Sequence, residues 1–334
     1  MQRTLALCTV LIATLASVPA DAESVKIGIS KVLAYGGVPI ALDRGHFKAE
    51  GIDAELVFFD SAQPIAVATV SGDVDFGIAG STAAFFRLAG QGALRIIAGA
   101  NIEMPGFRSI VYVASKHAYD AGLRTIKDLK GHSVAITQIG TPLHYDLAMA
   151  LEKNGVALQS VRITPLQSNS NVNSALTGGQ VDAASMPVAP VMPLIARGDA
   201  KVLGWASDEL AGTQGALVFT ATKTADSRRD LVERFVRAYR HGQRDYHDAF
   251  ADAKNQRHDG PLAPQILEIL SKFAHLTVDQ TKGSIAFADP DGRIDENSVL
   301  EQIDWYKAQN MLPADLDGKA LIDRRYAMIL SSAR

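Results

Sequence analysis

The 334 residues carry 33 Lys and Arg against 36 Asp and Glu, a formal net charge of −3. That balance argues against a nucleic-acid binder, whose footprint is a strong basic excess. The length leaves room for two domains with proper cores, and the single cysteine, Cys8, rules out a disulfide scaffold.

The chain opens with Arg3 and an apolar run from Leu5 to Val18 that is too short to span a bilayer. Ala20-Asp21-Ala22 fits the small-x-small cleavage rule. A signal peptide over residues 1–22 is therefore expected, with Glu23 as the first mature residue. Cys8 lies inside this leader and lacks the small residue before it that a lipoprotein cysteine needs. The mature chain would hold no thiol, and so no disulfide, thiolate metal site or cysteine nucleophile. Arg3 and Asp21 cancel, so the mature charge stays near −3. No second membrane segment follows, which predicts a soluble exported product.

Val25 to Ile29 alternates as a first strand, and Ser30 to Gly37 is a polar, glycine-bearing loop. Pro39 to Glu50 reads as one helix closed by Gly51, followed by strands at Ala54 to Phe59, Phe76 to Ala79, Leu94 to Ala98 and Ser109 to Ala114. The alternation then restarts: a strand at Ser133 to Thr137, a helix at Pro142 to Lys153, a strand at Val161 to Thr164 and a helix at Asn171 to Leu176. A strand at Ala183 to Met186, a helix at Pro190 to Arg197 and strands at Lys201 to Trp205 and Ala216 to Thr220 complete it. Strands alternating with helices of this length imply mostly parallel α/β layers. Ser109 to Ala114 and Ala216 to Thr220 look like siblings and are the expected paired crossings between two lobes. Beyond Ser227 the chain is mainly helical, with Leu231, Phe235, Ala238, Tyr239, Tyr246 and Phe250 on one face. The arginines opposite, Arg228, Arg229, Arg234, Arg237 and Arg244, read as a solvated face rather than a docking patch.

One passage occurs twice. Ala68-Thr-Val-Ser-Gly72-Asp-Val74-Asp75 returns as Ala175-Leu-Thr-Gly-Gly179-Gln-Val181-Asp182, 107 positions later, and the same offset lays Ser61 on Ser168 and Ile65 on Val172. Each copy reads as a polar turn, a short helix, a Gly-x-Val-Asp turn and a small-residue strand that opens into a new helix. Two equivalent α/β lobes offering strand ends and helix starts suggest a ligand held between them.

The loops after the strands are rich in hydroxyl, amide and glycine residues: Ser30 to Gly37, Ser61 to Gln63, Gly80-Ser81-Thr82, Gln138 to Thr141 and Ser168 to Asn171. In open parallel sheets ligands bind beyond the carboxyl ends of the strands. Helix starts there present N–H groups to an anion, with Thr141 as N-cap and Pro142 just inside its helix. Tyr35, His144 and Trp205 are candidate walls, and Met186 and Pro187 could reach the cleft. Nucleophile elbow, zinc-protease, dinucleotide and phosphate-loop motifs are absent, and the histidines lack metal spacing.

Tyr35-Gly-Gly-Val-Pro-Ile-Ala-Leu-Asp-Arg-Gly-His-Phe-Lys-Ala-Glu-Gly51 resembles the opening of the nitrate/sulfonate/taurine-type periplasmic binding proteins of ABC importers. Gly72-Asp-Val-Asp-Phe-Gly, Asp128-Leu-Lys-Gly131, Thr141-x-x-His144-Tyr, Gly179-Gln-Val-Asp182 and the tail Asp304 to Pro313 fit the same family over nearly all of the mature chain. The resemblance implies an α/β, two-lobed type II periplasmic binding protein, with a hinge of two crossing strands and a ligand cleft between the lobes. Residues 23–113 plus 215–334 would form lobe 1 and residues 114–214 lobe 2. The family's ligand loops map onto Tyr35, Gly36, Ser61, Gln63, Gly80, Ser81, Thr82, Gln138, Gly140, Thr141, His144 and Met186. Iron-using relatives that make the thiamine pyrimidine carry a cysteine cluster, which the mature chain lacks.

The implied role is periplasmic capture of a small oxyanion, such as a sulfonate, carboxylate or nitrate, by a monomer. That monomer would deliver its cargo to a permease and ATPase at the inner membrane, with no cofactor, metal or nucleic acid involved. The alternatives are an exported lyase or dehydratase on the same fold, using His144 or Glu103 as acid or base, and an exported sensor domain.

Overall fold

The computed structural model describes residues 22–330, so the expected leader and Cys8 lie outside the described residues. Two five-stranded sheets carry the chain. The first contains β1 (Glu23–Ile29), β2 (Ile52–Phe58), β3 (Phe76–Gly80) and β4 (Leu94–Gly99). The chain then crosses to the second, with β5 (Ile110–Ser115), β6 (Ser133–Ile136), β7 (Arg162–Pro165), β8 (Ala183–Pro187) and β9 (Ala200–Trp205), and returns to the first as β10 (Ala216–Ala221).

Strand order is β2-β1-β3-β10-β4 in the first sheet and β7-β6-β8-β5-β9 in the second. In each, the first three strands run parallel and the fourth runs antiparallel to both its neighbours. The two orders are one pattern built twice, and the spacing of 107 residues holds across it. Phe76–Gly80 moved by that offset lands on Ala183–Pro187 end to end, and the helix α2 (Ala62–Ser71) lands on α5 (Asn169–Thr177) within a residue. The Gly-x-Val-Asp turns explain the match in chemical terms. Gly72 and Gly179 both take left-handed φ, 87° and 66°, where a side chain would be strained. Asp75 then accepts the backbone N–H of Lys26 at 2.9 Å, and Asp182 that of Ser133 at 2.8 Å. Each carboxylate thereby ties its turn to the middle one of the three parallel strands of its own sheet.

The inner strands β3, β5, β6, β8 and β10 are buried on both faces, as layers covered by helices should be, while the edge strands β2, β7 and β9 are partly exposed. Alternation sends Val111 and Val113 to one core and Tyr112 and Ala114 to another, and likewise parts Val218 from Leu217 and Phe219. Over the first sheet lie α1 (Gly37–Asp43), α3 (Ala83–Gly90) and three C-terminal helices, α7 (Arg229–Phe250), α8 (Ala263–Ala274) and α9 (Glu296–Ala308). Over the second lie α4 (Pro142–Lys153), α5 and α6 (Val188–Arg197). Phe235 of α7 stacks on Phe76 of β3 at 3.7 Å between ring centroids. No helix among the described residues is long and apolar enough to cross a membrane.

Three expectations change. The single helix expected over Pro39 to Glu50 is two, Gly37–Asp43 and His46–Ala49, because Gly45 turns to φ 76° and ends the first. The crossing strands do not pair with each other; β5 and β10 each run beside the repeated strand of a different sheet. The crossing itself is made by shorter segments: Glu103 N–H bonds Thr213 C=O, Gly212 N–H bonds Glu103 C=O, and Gly215 N–H bonds Asn101 C=O. The arginine face of α7 is not simply solvated. Arg228 and Arg234 both grip Glu23, Arg228 also holds Asp75, and Arg237 and Arg244 pair with Glu50 and Asp291.

Helices α1 and α7 approach so closely that a Cβ on Gly242 would stand 2.0 Å from the Gly37 carbonyl oxygen, a backbone atom that cannot swing aside. Gly242→Ala is therefore expected to cost about 1–3 kcal/mol through overpacking. The reading is a lowered urea midpoint at unchanged slope, and a midpoint equal to the parent's would refute the close approach.

Candidate functional site

Strand ends of the two sheets face one another across the crossing, and between them lies a cleft of about 600 Å³, counting the space at its open mouth. Its wall repeats the internal duplication. Ser30 and Thr137, Ala34 and Thr141, Tyr35 and Pro142, Ala62 and Asn169, Gly80 and Pro187, and Ser109 and Ala216 all line it. Within every pair the two residues stand 107 positions apart. The crossing adds Asn101 and Gly215, and Ser61, Val32, Ile110 and Leu143 complete the wall. Among the described residues, no charged side chain stands on this wall.

Several polar groups are uncommitted. The N-cap residues of α2 and α4, Ser61 and Thr141, reach the wall, and neither caps its helix with its side chain. Thr141 instead donates to the Gln138 carbonyl at 2.8 Å. The equivalent Ser168 of α5 and Thr82 of α3 do cap, accepting from Asn171 and Phe85. First-turn N–H groups without a side-chain acceptor are thus left where helices meet the cleft. Tyr35 Oη accepts the Gly80 N–H at 3.1 Å, which leaves its own proton to give. Asn169 keeps a buried side-chain oxygen with no partner.

The residues expected at the site divide. Tyr35, Ser61, Gly80 and Thr141 stand on the wall, whereas Gly36, Gln63, Ser81, Thr82, Gln138, Gly140, His144 and Met186 stand off it. Gly36 is a packing glycine whose Cβ would meet Leu270 at 2.9 Å. The buried Ser81 hydroxyl goes to Gln302 at 2.6 Å. Met186 is fully buried in the core under β8. Trp205 stacks beneath the Arg108 guanidinium at 4.3 Å. Asn101 and Gly215 carry no local signal in the sequence, because they are brought to the wall by pairing between segments more than 100 residues apart, and Ser109 reaches it beside the distant Val188, whose N–H bonds its carbonyl.

Gly140 and His144 serve contact between the halves. Ala83 N–H bonds the Gly140 carbonyl at 2.8 Å, and His144 and Tyr145 of α4 meet Trp305 of α9 edge-on at 5.2 and 5.5 Å. Burial pushes the His144 ring down to about 4. Behind the crossing, Ser109 donates to the carboxyl of Glu103, which burial pushes up to about 7 against that hydrogen bond. Asp146 of α4 is wholly buried with both carboxyl oxygens unpartnered, and burial, with the Glu103 charge, raises it well above the usual range. Among the described residues no three His, Asp or Glu side chains gather as a metal site requires.

A sequence profile of NMT1/THI5-like proteins matches residues 34–253. The chain belongs to the NMT1/THI5-like family. Its architecture is that of the periplasmic binding proteins: the alkanesulfonate-binding protein SsuA from Xanthomonas axonopodis pv. citri, solved with MOPS bound, matches with a TM-score of 0.72 at 19% identity, over 91% of this chain and 99% of that one. The periplasmic nitrate-binding protein NrtA from Synechocystis matches with a TM-score of 0.69 at 14% identity, over 91% and 86%. Identities at this level carry the fold and leave the ligand open. A Brucella abortus protein named as a binding protein is 28% identical over 168 residues, 49% of each chain. The chain thus spans about half the length of the curated relatives it matches.

Two buried groups give this NMT1/THI5-like protein opposing pH signatures. His144 is depressed, so the stability its neutral ring contributes is present above about 6.5 and lost as pH falls toward 4. Glu103 is raised, so its contribution is whole below 4.5 and lost as pH rises through about 7. His144→Gln should flatten the melting-temperature profile on the acid side and Glu103→Gln on the neutral side. Variant profiles parallel to the parent's would overturn both assignments.

Proposed function

We propose that this NMT1/THI5-like protein is the periplasmic binding component of an ABC importer, exported behind a leader over residues 1–22. Residues 23–113 with 215–334 act as one lobe and residues 114–214 as the other. The lobes close on one small ligand with an oxyanion head, and the monomer hands it to permease and ATPase subunits.

The observation that carries the reading is the wall itself, where hydroxyls, amides and two uncapped helix starts converge on a cleft without a charged side chain. Helix-start N–H groups and hydroxyls suit a singly charged sulfonate or carboxylate head. The apolar lining of Val32, Ala34, Ala62, Ile110 and Leu143 suits an organic body. A head held by dipoles rather than by a buried arginine binds with moderate strength, and a Kd near micromolar, about −8 kcal/mol, suits capture followed by release. Ligand touching both lobes favours the closed form by its differential affinity. The family membership and the likeness to the sulfonate-binding SsuA and nitrate-binding NrtA support this reading.

A lyase or dehydratase would need His144 or Glu103 at the ligand, yet His144 packs on Trp305 and Glu103 lies behind Ser109. A thermal-shift screen of the mature protein against alkyl and aryl sulfonates, nitrate, bicarbonate and carboxylates is expected to yield an organic anion that raises the melting temperature and is recovered unchanged. Ser61→Ala should weaken that anion by about tenfold. Chemical conversion of the hit would replace transport by catalysis, and silence from every anion would defeat the oxyanion head.

A further inference from the structure

The cleft wall has one polar residue whose hydrogen-bonding sense is set from behind. Ser109 lies on the wall beside Ile110 and Asn101 and gives its only hydroxyl proton to the carboxyl of Glu103. Glu103 itself is 1% exposed and, among the described residues, has no ion-pair partner. A serine has one proton and two lone pairs. With that proton committed to Glu103, Ser109 can offer the cleft lone pairs only.

We propose that Glu103 is a positioning residue for specificity: by fixing Ser109 as an acceptor, it selects a ligand that bears a hydrogen-bond donor, a hydroxyl or an amine, in addition to its oxyanion head. This rests on the oxyanion reading of the same cleft and adds a second requirement to it. Asn169 points the same way from the second sheet, since its buried side-chain oxygen on the wall also lacks a donor. The ligand is therefore bifunctional, with an acceptor group for the helix starts at Ser61 and Thr141 and a donor for Ser109.

The groups that face Glu103 make the selection dependent on pH. Ser109 is its hydrogen-bond partner, Asp146 approaches from α4, and the Tyr112 phenol lies on β5, where the charges of Asp146, Glu103 and Glu209 all bear on it. None of these is a cation. When Glu103 is ionised, Ser109 has to donate to it, and the wall admits donors only. When Glu103 is protonated, it can donate to Ser109 instead, and the serine proton is released toward the cleft. Burial places that change at about pH 7.

The experiment uses matched anions that differ by one hydroxyl: ethanesulfonate and hydroxyethanesulfonate, propanoate and hydroxypropanoate, benzoate and para-hydroxybenzoate. Affinities are measured calorimetrically on the full mature protein at pH 6 and pH 8. In at least one pair the hydroxylated member should bind about tenfold more tightly at pH 8, with the preference shrinking at pH 6. Glu103→Gln keeps an acceptor for the serine and should keep the preference while removing its pH dependence. Glu103→Met and Ser109→Ala should each bring the pair within about twofold, and the unhydroxylated member reports whether the variants remain folded and competent. Equal affinities within every pair, or a preference unchanged in Glu103→Met, overturn this inference alone. Silence from all six anions defeats the oxyanion reading and this inference with it.

Discussion

The backbone bonds between the two passages of the chain from sheet to sheet are reinforced by one buried side chain, Gln214. Its amide nitrogen donates to the carbonyls of Asn101 and Ala216, at 2.9 and 3.0 Å, and so ties the outgoing segment to the returning one. Its amide oxygen accepts from the Asp295 N–H, its own N–H donates to Ser298 Oγ, and its carbonyl accepts from Gln302. A single residue with no exposed surface thus fixes the crossing and docks α9 onto it. Such a network is stable only if every member is satisfied, and here Gln214 uses its amide and both its backbone groups. Next to it Gly215 leaves room for the Asn101 amide, 2.5 Å from where a Cβ would stand. The floor of the cleft follows from this arrangement, since Asn101, Ser109, Gly215 and Ala216 all belong to the crossing segments or open directly from them.

The cleft inherits its remaining symmetry from the repeat. Because the spacing of 107 residues survives from the first strands through the wall, each half presents equivalent backbone positions and the difference between halves lies in side chains alone. Where the first half sets Ala34, Tyr35 and Ala62, the second sets Thr141, Pro142 and Asn169. The uncommitted polar groups therefore differ between the halves, Ser61 and the Tyr35 phenol in the first against the Asn169 amide oxygen in the second, and Tyr35 supplies the single large ring. A ligand with unlike ends has only one favourable direction in such a cleft.

Much of this was legible in the sequence, for identifiable reasons. The Gly-x-Val-Asp turns were visible because a left-handed glycine and a backbone-binding aspartate are local needs, met by residues close in sequence. Tyr35, Ser61, Gly80 and Thr141 could be placed because strand ends of parallel layers face the cleft. Ser81 and Met186 could not be set aside, because what removes them is distant: Gln302 takes the Ser81 hydroxyl from 221 residues away, and the pleat turns Met186 into a core. The crossing residues left no local pattern at all. Asn101 meets its partner Gln214 across 113 residues, a pairing that no periodicity announces.

The contact between the halves has a different chemistry from either core. Each sheet has apolar clusters largely its own, joined from the other half by Ala189 and Tyr145, and Phe76 on Phe235 or Tyr239 on the Gly99 carbonyl needs nothing from the other half. The seam, by contrast, carries costs. Asp146 holds two carboxyl oxygens without partners, Glu103 is buried with only a serine, and His144 is held uncharged against Trp305. An unpaired buried carboxyl costs free energy even when it takes up a proton. These penalties oppose the aromatic contacts of Tyr145 and His144 with α9. Under the proposed reading that is a requirement: a ligand can shift a two-state equilibrium only by its differential affinity, and a seam that closed strongly by itself would leave it nothing to decide.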